Sequence, residues 1–375
     1  MLDQKKRTWA EINVHALRHN YENIVKSLPE GCGLMGVVKA NAYGHGAVNM
    51  SKMLQRFGCH YLAVACIDEA EELREAGIEL PILILGATPP EFTERLLAAD
   101  VAQTLSSYEW AKAYSKKAEK LGKILRVHLK LETGMGRTGF NVKDGDVSEP
   151  VKALAFSALE AEGVYTHFAV SDEAEGEEYT RAQYTSFTEA ISKIEEESGL
   201  NFKIRHCANS GVLYNYPEMY MDMVRPGIAL YGAYAGKAAI EISASPIMSL
   251  RSRIVQINNV KKGESISYGG TFTAERDMTL AVVPVGYADG LHRVLSDKID
   301  MLVNNKRCRQ IGRICMDMCM LDVSDAGKVK VGDIATVFGH DTRGAISVNE
   351  LARRAGTISY EILTSVSERV PRNYV

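Results

Sequence analysis

The sequence predicts an α/β protein, an N-terminal (β/α)8 barrel of the TIM type followed by a C-terminal β-rich domain. Three observations carry this. From Gly33 to Gly232, short apolar runs alternate with helical patterns about eight times. Beyond residue 240, short strands separated by Gly, Asp and Asn turns take over. No Gly-x-Gly-x-x-Gly turn follows an early strand, which weakens the main rival, a doubly wound open sheet. The division expected is 13–240 for the barrel and 241–375 for the β-rich domain.

The elements follow in order. Gly33–Val38 is apolar and reads as a buried first strand, with Lys39 at its end. Tyr61–Ala65 is strand-like, and Ile67–Ala76 is a helix with an acidic first turn, stopped by Gly77. Pro81–Leu85 is a strand ending at Gly86, and Pro90 suits the first turn of the next helix. Val101–Leu105 reads as a strand and Tyr108–Leu121 as a helix closed by Gly122. Ile124–Leu131 alternates apolar residues with Arg126, His128 and Lys130. Val151–Ala161 reads as a helix, Val164–Phe168 as a strand and Glu178–Glu197 as a long amphipathic helix. Phe202–Ile204 and Met223–Val224 complete the series. In the second domain the strands expected are Ser249–Ile257, Leu280–Val283, Cys308–Ile314, Met320–Val323 and Ile334–Phe338. Ser347 then caps a helix, with Glu350 at capping-box spacing.

Composition narrows the function classes. The 375 residues are 46% hydrophobic and 24% charged, with a net charge of −3, so nothing draws the chain to nucleic acid or an anionic membrane. No apolar run approaches a membrane span, and the charged start lacks the apolar core of a signal peptide. A cytoplasmic location is expected. Seven cysteines are scattered and odd in number; Cys315 and Cys319 lack a second ligand pair, and Cys207 directly follows His206. Free thiols in a reducing compartment are expected, and no metal site.

Residues 37–46, Val-Val-Lys-Ala-Asn-Ala-Tyr-Gly-His-Gly, are the most informative stretch. A lysine closing a buried strand is costly to desolvate unless its ammonium is neutralised or used. One reading is a lysine snorkelling to the sheet rim. The other is an amine whose pKa burial lowers, so that it can attack a carbonyl and form a Schiff base. Tyr43 could place a hydroxyl near the same point.

This decapeptide resembles the pyridoxal-phosphate lysine segment of bacterial alanine racemases. Four further segments resemble that family, in its order: Arg225–Gly232, Ser267–Gly270, Gly286–Gly290 and Gly312–Asp317. The resemblance covers essentially the whole chain. It implies pyridoxal 5'-phosphate as cofactor, racemisation of alanine and a homodimer with shared active sites. It also implies that residues 1–12, including Trp9 and Ile12, pack with the second domain.

The residue roles come from that resemblance. Lys39 carries the cofactor and is one of two bases; Tyr268, from the partner subunit, is the other, since one base would return the proton to the face it left. Barrel topology brings Ser210-Gly211 and Gly227-Ile228, after strands seven and eight, to the end of the barrel where Lys39 sits, and free backbone N–H groups there suit a phosphate. Asn209 belongs to this set or simply caps a helix. Tyr43 and Tyr360 resemble the family's tyrosines on the phosphate. Arg225 corresponds to the arginine on the pyridine nitrogen; a guanidinium keeps its proton, which leaves the ring a poorer electron sink and argues for a racemase over a decarboxylase. His167 links Tyr268 to Arg225. Lys130 matches a lysine that carbon dioxide can carbamylate to orient Arg137, with an ion pair to Glu132 as the alternative. Arg137 and the Met316 backbone meet the substrate carboxylate, and Asp317 supports that loop. Asp172, Tyr287, Arg293 and Arg313 match an entry corridor. Tyr360 favours alanine over serine, with secondary serine turnover expected. The rival from another class, a non-enzymatic cofactor-binding barrel, lacks a second domain.

Overall fold

The computed structural model describes residues 6–375 apart from 235, 237, 241, 342 and 343. Among the described residues, eight parallel strands form the barrel: Gly33–Val37, Tyr61–Val64, Ile82–Ile84, Ala102–Leu105, Leu125–Glu132, Leu159–Tyr165, Ile204–His206 and Met223–Val224, and the short strand Phe140–Asn141 pairs onto the fifth as a ninth member of the sheet. The first seven pair in succession, each with the next, and the eighth pairs with the first through Met223 opposite Gly33. Between the seventh and eighth strands, Asp222 N–H donates to Arg205 O at 3.0 Å and Arg225 N–H to Ala208 O at 2.8 Å, which closes the barrel. Strands one to four are buried on both faces, the first three as continuous apolar runs and the fourth with Gln103 and Thr104 hydrogen-bonded to backbone carbonyls.

The second sheet holds ten strands among the described residues. Within it, Met248–Arg253 pairs with Ile334–Asp341 on one side and with Thr8–Ile12 on the other. Thr8–Ile12 also runs parallel to the last strand, Arg372–Tyr374. Both ends of the described chain therefore lie side by side in this sheet, with Trp9 and Ile12 in its core. Ser347 caps Val348–Ala355, its hydroxyl accepting from Glu350 N–H at 3.1 Å.

Three readings need correction. The helix expected over Val151–Ala161 is Ser148–Leu154, and the sixth strand is Leu159–Tyr165 rather than Val164–Phe168. Glu160 and Glu162 made that strand look like an exposed helix face. Glu162 in fact turns toward a polar barrel interior, where Tyr61 and His128 meet it. The seventh strand begins at Ile204, because Phe202 is buried ahead of it. The run expected over Ser249–Ile257 breaks in two at Ile254–Val255, where the chain leaves one neighbour for another: Ile254 N–H donates to Asp333 O and Val255 N–H to Val282 O.

Candidate active site

A cavity of about 460 Å³ opens at the carboxyl ends of the barrel strands. Lys39, Tyr43, Lys130, Arg137, His167 and Asp172 line it, together with Asn209, Ser210, Arg225, Gly227, Ile228 and Tyr360. These residues come from five connections and from the second domain, so only closure of the barrel assembles them.

The decapeptide takes an unusual backbone. Lys39 leads into one turn of left-handed helix: Ala40, Asn41, Ala42 and Tyr43 all have φ near +52°. L-residues pay about 1–2 kcal/mol each for this hand, and Asn41 is the only one with a side chain that favours it. Surrounding groups hold the turn in place. Glu69 accepts from Ala40 N–H and Ala65 N–H, both at 2.6 Å, and so ties two strand ends together behind Lys39. Asn41 Oδ1 accepts from Ala47 N–H at 2.8 Å. From the second domain, Arg372 donates to Gly44 O at 2.9 Å and Tyr374 to His45 O at 3.0 Å. Lys39 Nζ has no ion pair or hydrogen bond among the described residues, and burial followed by the nearby Arg137 lowers its pKa.

The wall beyond Lys39 is cationic. Burial and then Arg225 bring Lys130 down to about 7. Its Nζ donates to Leu131 O at 3.2 Å and lies 5.3 Å from the Tyr165 ring centroid. The Glu132 ion pair is not formed: that carboxylate accepts instead from the backbones of Gly134 and Arg137 and faces Lys143 at 3.7 Å. His167 is held neutral, its pKa pushed far down by burial and by Arg225. Asn209 does cap the short helix Ser210–Asn215; it accepts from Val212 N–H at 3.0 Å while facing the cavity.

Sequence reasoning missed what stands behind Arg225. Its guanidinium can only donate. It donates to His206 Nδ1 at 3.1 Å, to Thr166 O at 2.9 Å and to Cys207 O at 3.2 Å. His206 Nδ1 must therefore accept, and its Nε2–H points to His128 Nδ1 at 2.9 Å. His128 then donates from Nε2 to Glu162 at 3.3 Å, and Tyr61 donates to the same carboxylate at 2.9 Å. Every donor along this line faces away from Arg225. Hydrogen bonding from His128 holds the Glu162 carboxyl well below its usual range. The signal available in the sequence was His128 inside an apolar strand and His206 ending another. Arg225 Nε–H has no partner among the described residues and remains available to the cavity.

Two glycines let neighbouring side chains pack close against the cavity's backbone. A Cβ on Gly227 would come 2.3 Å from Tyr43 Oη, and one on Gly211 would come 2.4 Å from Ser171 Oγ. Ser210 Oγ accepts from Gly227 N–H and Ala229 N–H, each at 3.2 Å, and so joins the two loops.

The remaining candidates lie apart from this cavity. Tyr268 is 69% exposed and Met316 is 53% exposed, on the second domain. Tyr287, Arg293 and Arg313 do not line the cavity in the single chain. Asp317 pairs with Arg369 at 2.9 Å, and Arg369 also holds buried Asp289 at 2.8 Å, which braces the loop that carries Met316.

A barrel with reactive groups at its strand ends, joined to this β-rich domain, defines an enzyme, an isomerase of the racemase class. A family model described as the N-terminal domain of alanine racemase matches residues 12–235, and one for the C-terminal domain matches 247–374. The chain belongs to the alanine racemase family. The alanine racemase of Desulforamulus reducens is 43% identical over 374 residues, spanning 99% of this chain and 100% of its own. The alanine racemase of Clostridium difficile 630 superposes with a TM-score of 0.93 at 38% identity, over 99% of this chain and 96% of that one. The Bacillus anthracis alanine racemase with bound L-Ala-P gives 0.91 at 36% identity, over 99% and 95%.

Proposed function

We propose that the protein interconverts L- and D-alanine, with pyridoxal 5'-phosphate bound at the barrel mouth. The observation that carries this reading is the lining: Lys39, Lys130, Arg137 and Arg225 face one carboxylate, Asp172. Such a surface suits a ligand bearing a phosphate beside a substrate bearing a carboxylate. When bound, the cofactor supplies an aldehyde for Lys39 and a conjugated ring that spreads the charge left when the α-proton departs.

The chain's own residues do the rest. Ser210, the Gly227 and Ile228 backbone, Tyr43 and Tyr360 would hold the phosphate, with Asn209 fixing the loop that presents Ser210. Arg225 would give its free Nε–H to the ring nitrogen while keeping its proton, which restrains decarboxylation and transamination. Arg137 would take the substrate carboxylate, oriented by a carbamate on Lys130. Lys39 Nζ would move a proton on one face. Tyr268, from a second subunit, would move it on the other, with His167 linking it to Arg225. Met316 would offer its backbone N–H, Asp317 would brace its loop, and Asp172, Tyr287, Arg293 and Arg313 would line the way in.

In this reading residues 13–240 are the cofactor-binding barrel and 241–375 the second domain. The enzyme is a cytoplasmic homodimer that supplies D-alanine for peptidoglycan. Tyr360 leaves secondary turnover of serine.

Borohydride reduction of the purified protein followed by peptide mapping tests the assignment. A pyridoxyl group on Lys39 is the expected result, together with loss of racemisation in Lys39→Ala. A label on any other lysine would overturn it.

A further inference from the structure

The line behind Arg225 ends at Glu162, and the sixth strand is shaped to end it there. In its pairing with the fifth strand, Val127 stands opposite Ala161 and His128 opposite Gly163, which leaves Glu162 as the extra residue of a bulge. A bulge bends its strand and re-aims the side chain it carries, and here it turns a carboxylate into the barrel. Gly163 makes room for what Glu162 meets: a Cβ there would come 2.5 Å from His128 Nδ1. The His206 ring is fixed as well, stacked on Tyr165 with centroids 4.9 Å apart and planes at 14°.

His128 and His206 are fully buried, and burial pushes both pKa values below the usual histidine range. Each ring is therefore neutral at ordinary pH, with one proton and one lone pair. Two such rings in series transmit a choice. A lone pair facing Arg225 requires a proton facing Glu162, and the reverse polarity would set a donor against the guanidinium. An ionised carboxylate only accepts, so Glu162 fixes the order from its own end. Its Oε2 takes both His128 Nε2–H at 3.3 Å and the Tyr61 hydroxyl at 2.9 Å. A buried donor deprived of its acceptor costs about 1–3 kcal/mol, and loss of this one oxygen would strand two. Reversing both rings would take the unmatched His128 proton away from that end and pass the mismatch to Arg225.

We propose that Glu162 is a positioning residue for Arg225, acting from the barrel interior through the tautomers of His128 and His206. It keeps a lone pair in front of Arg225 Nη1 and so holds the guanidinium with its Nε–H toward the cavity. Glu162 does not itself line that cavity. The consequence for the reaction rests on the racemase reading, which gives that Nε–H to the ring nitrogen; the tautomers do not depend on it.

Neutron diffraction from crystals of the perdeuterated holoenzyme reads the tautomers directly. Deuterons are expected on Nε2 of both rings and on neither Nδ1. Glu162→Gln can present an amide oxygen in place of Oε2 and should keep that pattern. Glu162→Met, of similar length but without a comparable acceptor, should reverse both rings and turn Arg225 Nη1 away from His206. In this variant some alanine should lose its amino group to the cofactor and leave as pyruvate. The ratio of pyruvate to racemised alanine should rise about tenfold, the value of one charge-assisted hydrogen bond. A purely structural Glu162 would lower stability and leave both the tautomers and that ratio unmoved. A deuteron on Nδ1 of either ring in the unaltered protein, or a Glu162→Met enzyme with unaltered tautomers or an unaltered ratio, would overturn the proposal. Should Glu162→Met fail to fold, the tautomers in the unaltered crystal decide. An unaltered protein that does not racemise alanine would refute the racemase reading instead, and the same crystal would still decide the tautomers.

Discussion

Arg225 and Lys130 are both buried, and among the described residues neither has a carboxylate within ion-pair reach. The difference between them is chemical. A guanidinium spreads its charge over several donors and keeps its proton, so Arg225 is accommodated by carbonyls and by the line through His206 and His128 to Glu162. An ammonium is compact and yields instead, which is why Lys130 falls to about 7. That places a neutral amine at the pH where the enzyme would work. A neutral amine can attack carbon dioxide, forming an N–C bond and releasing a proton, whereas the ammonium cannot. With ¹³C-labelled carbon dioxide held at fixed dissolved concentration, a carbamate resonance should therefore grow from pH 6 to pH 8. It should be absent from Lys130→Met. A pH-independent signal, or one that survives the substitution, would rule the modification out.

At the scale of elements, the left-handed turn behind Lys39 makes a sharp demand. Ala40 is exposed, so a change there alters backbone preference without disturbing packing. In a right-handed helix, valine would be better tolerated than glycine by a few tenths of a kcal/mol. At φ of +52° the order reverses. Ala40→Val should be less stable than Ala40→Gly by about 1–2 kcal/mol in urea denaturation. It should also loosen Lys39, measured as weaker retention of pyridoxal phosphate. The opposite order would mean that the turn is not left-handed in solution. This turn was not legible in the sequence, because Ala-Asn-Ala-Tyr contains only one residue with any taste for that hand. The first three barrel strands were legible for the opposite reason: each is a short apolar run with a glycine or a helix signal beside it. The sixth strand was hidden by Glu160 and Glu162, since a polar barrel interior breaks the rule that buried strands look greasy. Lys39 and Arg225 stood out as charges beside apolar runs. His128, His206 and Glu162 are some forty to eighty residues apart, and nothing local announces that they meet.

At the scale of the whole molecule, one chain leaves Tyr268, Tyr287, Val294, Met316 and Met318 exposed on the second domain. Large apolar side chains gathered on one domain suit burial against another copy. If that copy delivers Tyr268 to the cavity of its neighbour, complementation follows from counting. Tyr268→Phe alone should lower racemisation by about 10²–10⁴-fold, the usual contribution of an acid–base group. Lys39→Ala alone should be inactive. Heterodimers of the two variants contain one site with both residues intact, so about half of the activity per dimer should return. Heterodimers that form, as judged by differential tags, and remain inactive would place both groups in the same chain.

The second sheet also ties folding to the direction of synthesis. Thr8–Ile12 lies between Met248–Arg253 and Arg372–Tyr374. It precedes the whole barrel in the sequence, yet both of its neighbours follow the barrel. At about 10 residues per second it waits roughly half a minute for the last of them. The barrel strands can find one another as they emerge, but this sheet cannot be completed until Arg372–Tyr374 has emerged. Arg372 and Tyr374, which grip Gly44 and His45 behind Lys39, arrive with that final strand. The lysine's seat is therefore finished only after the barrel that carries it.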